Sequence, residues 1–447
     1  MLLHADTALL PEGWARDVTV EVLDARIASV GPSRGGMRVG CLLPAPVNLH
    51  SHTFQRAMAG LTEYRTAGQD SFWTWRSLMY RFLEQLGPDD IEAIAAQVMV
   101  EMAEAGYAAV AEFHYLHHGL GGVSYSDRAE MAGRICAASQ ATGLGLTLLP
   151  VLYERGGCDG RALAGGQLRF GNDIQGFAGL LDGAERHLTG LPADAVLGLA
   201  PHSLRAVSAE SLRLAEGMRH GQIHIHVAEQ VAEVDEVLAF SGQRPVEWLL
   251  SHAQVDQRWS LIHATQMVPA ETLALAASGA VAGLCPITEA NLGDGIFDGA
   301  RYLAAGGKFG IGSDSNVWIS LSEEMRILEY SQRLGMKARA VLADERSVGR
   351  VIFEGIVKGG AQAGGRNSGA IQVGKWADLV ALDCSGPDMV GRKGDRLLDT
   401  FAFAGDDRMV QHLWSAGRHI VQDGRHVARD AVGKRFGRVM ARLAEAL

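Results

Sequence analysis

Two histidines with one residue between them, His50 and His52, close the apolar run PAPVNLHSHTFQ at residues 44–55. In an extended chain, side chains two apart point the same way, so one metal ion can take both imidazoles. Alone, the tripeptide fits a plain strand end equally well. The question is whether further ligands recur at matching places, and a series of other apolar runs also closes on polar residues. These are His114 and Tyr115, Tyr153, His202 with Arg205 just beyond, His224 and His226 with Glu229, His263, and Asp314. A catalytic zinc takes about three histidine or carboxylate ligands and keeps a position for water. His50 and His52 supply two, one histidine of the 222–229 run a third, and Asp314 a carboxylate that also accepts a hydrogen bond from the water. Water on such a metal becomes a nucleophile near neutral pH. His263 is then placed to take its proton, and Glu229 is an acid–base candidate for a leaving nitrogen. The plainer reading of Glu229 is an acid favoured at a helix start by the helix dipole. No lysine lies in or just after the run 195–201, where a carbamylated lysine would bridge two metals, so one metal ion is expected. The chain also lacks the H-x-E and P-C-x-x-C pair of the small cytidine-deaminase zinc site.

The elements that must position these residues follow from periodicity. Apolar runs at 45–50, 108–113, 145–153, 195–201, 222–229, 259–264, 280–286 and 308–314 are continuous rather than alternating. That suits parallel strands covered on both faces. Between them lie helical patterns such as 89–106, opened by Asp89 and Asp90 and stopped by Gly106, then 208–221 and 322–335. Eight strands, seven intervening helical stretches and a following helix give the count of a (β/α)8 TIM-type barrel, whose chemistry sits at the C-terminal strand ends. A doubly wound sheet is the rival, but no Gly-x-Gly-x-x-Gly turn follows the first strand. Residues 1–44 and 369–383 with 410–427 read as short β segments. Head and tail are therefore expected to form one small β-sandwich, giving a β domain from 1–44 and 369–447 around a barrel at 45–368. Residues 428–447 read as a basic, solvated terminal helix.

Bulk properties narrow the class. The 447 residues carry a net charge of −10 with 47% hydrophobic residues. A general nucleic-acid binder would present a basic face instead. No run is long enough to span a bilayer and the first residues lack a basic n-region, so neither a membrane span nor a secretory signal is expected. Five scattered cysteines without C-x-x-C fit a cytoplasmic protein.

The motifs H50-S-H52, H226-x-x-E229, His263 and S-D314 together resemble the amidohydrolase superfamily, in its mononuclear deaminase branch, and GAIQVGKWADLVALD is similar to that superfamily's closing β segment. The segments HSHTFQRAMAGLTE, SFWTWRSLMY, AEFHYLHH, PHSLRAV, HIHVAEQ and GSDSN resemble the N-formimino-L-glutamate iminohydrolase family. That resemblance implies one divalent metal, expected to be Zn2+, on His50, His52, His226 and Asp314, with Glu229, His263 and Asp314 in catalysis. It leaves His224 as a buried neighbour. It further implies substrate contacts from Gln55, Arg76, Tyr115, His202 and Arg205, a small dicarboxylate substrate hydrolysed to N-formyl-L-glutamate and ammonia in histidine degradation, and a homodimer. Arginine suits bidentate carboxylate recognition, in keeping with such a substrate. The alternative is deamination of a purine or other ring amidine, for which Phe72, Trp73 and Trp75 would supply aromatic walls. His114 and Tyr153 are expected to pack rather than act.

Overall fold

The computed structural model describes residues 1–32, 34–63, 72–218 and 221–446; the side chains of residues 72–77 and 446 lie outside that description. Every expected apolar run forms a strand: Val47–Ser51, Ala109–His114, Gly145–Leu152, Val196–Leu197 with Ala200–Pro201, Ile223–Val227, Trp259–His263, Val281–Leu284 and Lys308–Ile311. Neighbouring strands pair in parallel. Most are buried along their whole length, which is why their sequences read as unbroken hydrophobic runs. The fourth run departs from expectation by splitting in two. At the break Gly198 N–H donates to the Leu148 carbonyl and Leu199 N–H to the Gln222 carbonyl, each at 2.9 Å, so the chain turns there from one neighbouring strand to the other.

These strands fall into two parallel sheets, one from the first four runs and one from the last four. Single parallel bridges link the sheets at both edges, Leu199 to Ile223 and Ser203 to His226 on one side, Ser51 to Asp314 on the other. Helices such as Pro88–Glu104, Ala209–Met218 and Leu321–Met336 connect the strands. The first opens with the Asp90 carboxylate accepting from the Gly87 N–H at 2.9 Å. It ends just before Gly106, whose φ of 103° is open to glycine. Strands and helices share one apolar core.

Head and tail pair as expected, but in one hydrogen-bonded path rather than two facing sheets. The order is Arg425–His426, Arg418–Gln422, Val410–Ser415, Leu379–Leu382, Met37–Pro44, Leu2–Leu10, Gly13–Leu23 and Arg26–Pro32. Both arms of this sheet contribute to one separate core, with Val20 and Ile27 from one arm and Leu379 and Trp414 from the other. The segment 369–383 yields only the strand Leu379–Leu382, and the helix Arg396–Phe403 has no counterpart among the sequence expectations.

The terminal helix Arg429–Ala446 corrects its expectation more sharply. It is basic but not solvated all round: Val432 and Leu443 are buried. Arg429, Arg435 and Arg442 pair with Glu104, Glu92 and Asp90 on the helix Pro88–Glu104. Three of its cations thus serve a docking face, while Lys434 and Arg438 stay exposed. Among the described residues no helix is long and apolar enough to cross a membrane.

Candidate active site

Four ligand-type side chains converge where the two parallel sheets meet. His50 and His52 leave the first strand, His226 the fifth, and Asp314 follows the eighth. The approach of the eighth strand's end to the first depends on Gly312, where a Cβ would stand 2.6 Å from the His50 backbone. Asp314 N–H then donates to the His50 carbonyl and His52 N–H to the Asp314 carbonyl, each at 2.9 Å. The carboxylate Oδ1 lies 3.3 Å from Nε2 of both His50 and His52. His226 Nε2 lies 3.1 Å from His50 Nε2 and 3.3 Å from His52 Nε2.

The protons are placed by the outer ring atoms. His52 Nδ1–H donates to the Phe113 carbonyl and His226 Nδ1–H to the His202 carbonyl, both at 3.0 Å. Burial keeps these rings neutral, holding His52 and His226 below the ordinary histidine range. Burial also takes His50 down to about 3, against the pull of Asp314. With Nδ1 protonated, the Nε2 lone pairs of His52 and His226 face each other across 3.3 Å. Two lone pairs at that distance repel unless a cation lies between them. Burial disfavours a charged Asp314, yet its hydrogen bond with His50 outweighs that and holds the carboxyl far below its usual range.

His263 and Glu229 stand beside this cluster, with His263 Nε2 3.9 Å from Glu229 Oε1. Three of the chain exits at the site run through left-handed backbone: Ala228 at φ 51°, His263 at 69° and Asp314 at 46°. Non-glycine residues hold such conformations only where the surroundings enforce them, and they gather at functional sites. Burial pushes Glu229 up to about 7, so its carboxyl is readily protonated near neutrality. Burial opposes a charged His263, but Glu229, Glu289 and Asp314 outweigh it and raise the imidazole's affinity for a proton, as suits a group that takes one.

A cavity opens over the cluster. Gln55, Tyr115, His202 and Arg205 line it together with His52, His226, Glu229, His263 and Asp314. Gln55 Nε2 donates to the Tyr115 hydroxyl at 2.6 Å, and His202 Nδ1 is bonded to Ser203 Oγ at 3.0 Å. Arg205 is buried, and although burial opposes its charge, Glu233 and Glu229 outweigh that. Arg76 lies on the helix Phe72–Leu83, but its side chain and those of Phe72, Trp73 and Trp75 lie outside the described residues. His224 is buried with Nε2 bonded to the Ala363 carbonyl, and His114 packs against His117, both as expected. Tyr153 differs: it lines the cavity and accepts a hydrogen bond from Gln167.

Several site residues escape the sequence reading. Met79, Tyr80 and Phe170 wall the cavity. Glu233 accepts from the N–H groups of Ala228 and Glu229, at 3.1 and 3.0 Å, and so fixes the backbone that carries Glu229. Glu112 accepts from both Thr53 N and Thr53 Oγ1 at 2.8 Å, fixing the turn after His52. Glu289 reaches His263. The strand-end position that identifies the ligands points at 280–286 as well, and its acid lies one helical turn farther on.

Comparison with known proteins gives a consistent setting. The amidohydrolase family signature matches residues 41–420, and the N-terminal domain of formimidoylglutamate deiminase HutF matches residues 1–36. Formimidoylglutamate deiminase of Pseudomonas aeruginosa is 49% identical over 99% of both chains. A 5-methylthioadenosine/S-adenosylhomocysteine deaminase of Natronomonas pharaonis is 27% identical over 93% of this chain and 91% of its own. The crystal structure of an amidohydrolase from Brucella melitensis superposes with a TM-score of 0.96 at 47% identity, covering 99% of each chain.

Proposed function

Since the chain belongs to the amidohydrolase family, we propose that it hydrolyses N-formimino-L-glutamate to N-formyl-L-glutamate and ammonia, the deimination step of histidine degradation. The observation that carries this reading is full-length similarity, at 49% identity, to a formimidoylglutamate deiminase. The buried Arg205 beside the ligand cluster adds a chemical reason. A guanidinium in such a pocket suits one carboxylate of a dicarboxylate, and Gln55, Tyr115 and His202 supply polar contacts around it. Arg76 is a further contact in this reading.

The fold supports the reading at its own level. Two bridged parallel sheets with connecting helices are what a (β/α)8 barrel spanning 45–368 would present, flanked by a β domain from 1–44 and 369–447. The same proposal takes the enzyme to be a cytoplasmic homodimer, and all five cysteines are unbonded.

The donor set fits a divalent metal. Donor separations of 3.1–3.3 Å match the edge of about 3.3 Å expected when ligands surround zinc at about 2.0–2.1 Å. The facing lone pairs of His52 and His226 need a cation between them. His50, His52, His226 and Asp314 would hold one ion, with Zn2+ the expected choice. When bound, that metal supplies Lewis acidity, making a water nucleophilic at neutral pH. The chain's own groups do the rest. Asp314 accepts a hydrogen bond from the attacking water, and His263 takes its proton at Nε2. Glu229, protonated near neutrality, gives its proton to the imino nitrogen as the carbon is attacked; the new hydroxyl returns a proton to Glu229 as the C–N bond breaks, and the proton held on His263 completes the leaving ammonia. Arg205 and its neighbours anchor the glutamate end and so bring the formimino carbon over the cluster. Purified, metal-loaded enzyme should release ammonia from formiminoglutamate and not from adenosine or guanine. Release from a ring amidine alone would overturn the substrate assignment.

A further inference from the structure

Behind His263, on the side away from the cavity, lies a buried carboxylate with no part in the scheme above. Glu289 sits on the helix Pro286–Leu292, which begins directly after the strand Val281–Leu284. Its Oε1 accepts from the Cys285 N–H at 2.8 Å and lies 3.3 Å from His263 Nδ1. The helix is braced on its other flank, where Thr288 Oγ1 is bonded to Ser315 Oγ at 2.9 Å, next to Asp314. The Glu289 oxygen is therefore held in place from its own helix, independently of the imidazole. His263 is equally constrained, being almost fully buried with a left-handed φ of 69°.

A neutral imidazole carries one ring proton, and the partner of one nitrogen decides which nitrogen bears it. A carboxylate has no proton to give, so a carboxylate at Nδ1 makes that nitrogen the donor. The other nitrogen, Nε2, then presents its lone pair toward Glu229 and the cavity. That is the state required of a group that takes a proton there. We propose that Glu289 is a positioning residue for the reaction, fixing the tautomer and ring orientation of His263 through a carboxylate–imidazole pair. Glu289 does not line the cavity, so it acts through His263 and not on the substrate. The inference rests on the role given to His263 under the proposed function. The competing description is that Glu289 only satisfies the Cys285 N–H at a helix start.

Kinetics of Glu289→Ala, Glu289→Gln, His263→Ala and the Glu289→Ala/His263→Ala pair separate the two, with rates taken per bound metal. Removing a partner that orients a functional histidine lowers activity by about 10–100-fold. Glu289→Ala should lose that factor in kcat with KM little changed. Glu289→Gln keeps an Oε1 acceptor for both N–H groups and should recover most of the rate. In the His263→Ala background, Glu289→Ala should cause no further loss in kcat, because groups acting as a unit are not additive. In 15N-histidine-labelled enzyme, the His263 signal should report Nδ1–H in the wild type and in Glu289→Gln. The proposal fails if Glu289→Ala lowers only thermal stability, if its kcat loss persists in full without His263, or if His263 is the Nε2–H tautomer. The proposed function of the site is tested separately: a fully active His263→Ala removes the role of His263 and this inference with it. A crippled His263→Ala beside a silent Glu289→Ala overturns the inference alone.

Discussion

At the scale of single residues, the site divides into groups that face the cavity and groups that hold them. Arg205 belongs to the first set. It is buried, charged and at the cavity wall, where a guanidinium suits a substrate carboxylate. Hydrogen bonds to charged groups contribute about 1.5–3 kcal/mol, which converts to a loss of about 10–100-fold in kcat/KM on truncation. Arg205→Ala should show that loss mainly as a raised KM, since the guanidinium contacts the part of the substrate that does not react. Steady-state kinetics on formiminoglutamate check it, and an unchanged kcat/KM would sink the dicarboxylate assignment. The ligand-type residues were legible in the sequence because each closes an unbroken apolar run, and burial makes a histidine or acid there conspicuous; the walls Met79, Tyr80 and Phe170 carry no such mark. The holding residues were not. Glu233 and Glu289 look like ordinary helix-start acids, and only the spatial neighbourhood of strands five, six and seven turns their carboxylates toward Glu229 and His263.

At the scale of elements, the metal-type cluster depends on how closely the first and eighth strands approach. Gly312 is a point of close backbone passage, with His50 N, Cβ and O all 2.6 Å from where a Cβ would stand. Real Cβ atoms do not tolerate that distance to backbone, so Gly312→Ala must push Asp314 away from His50 and His52. Overpacking of this kind costs about 1–3 kcal/mol of stability. The sharper expectation is a fall in bound metal per chain, measured by elemental analysis, with activity falling in proportion. Gly217→Ala is the matched control. It lies on the helix Ala209–Met218 with open space around its Cβ position, so metal content and activity should be unchanged. Element positions were largely readable from periodicity, since all eight parallel runs appear where expected. The break in the fourth run was not, because it lies where the chain turns from the Leu148 carbonyl to that of Gln222, a residue beyond the next helix. The docking of the last helix was hidden likewise, its arginines being indistinguishable in sequence from a solvated basic face.

At the scale of the whole molecule, the terminal sheet is tied to the parallel-strand region by a buried ion network. Arg366 Nη2 lies 3.0 Å from both Asp194 and Asp378, and all three side chains are almost wholly buried. Arg418, on the sheet, binds both oxygens of Asp194 at 2.7 and 2.8 Å, and Asp378 Oδ1 accepts from the Ala416 N–H. Asp194 thus sits between one arginine from each side. Burial opposes its charge, yet the hydrogen bond from Arg418 and the charges of Arg366 and Arg418 outweigh burial and hold its carboxyl below the ordinary aspartate range. Removing one member of a buried network leaves the others incompletely paired, at a cost of about 3–5 kcal/mol. Asp194→Asn should approach the lower end, because Arg366 keeps its contacts with Asp378 and Arg418 is partly exposed. The pH dependence follows in sign from the depressed pKa. Above an unfolded aspartate pKa of about 3.9, the carboxylate is ionised in both states and its full contribution is present. As pH falls through that value the unfolded chain binds a proton that the folded chain resists, so the contribution declines and is lost once the folded group protonates. The difference in denaturant midpoint between wild type and Asp194→Asn should therefore be constant from pH 5 to 7 and narrow progressively below about pH 4. A difference that stayed constant down to pH 2.5, or widened, would show that Asp194 holds the two parts together by shape and not by charge.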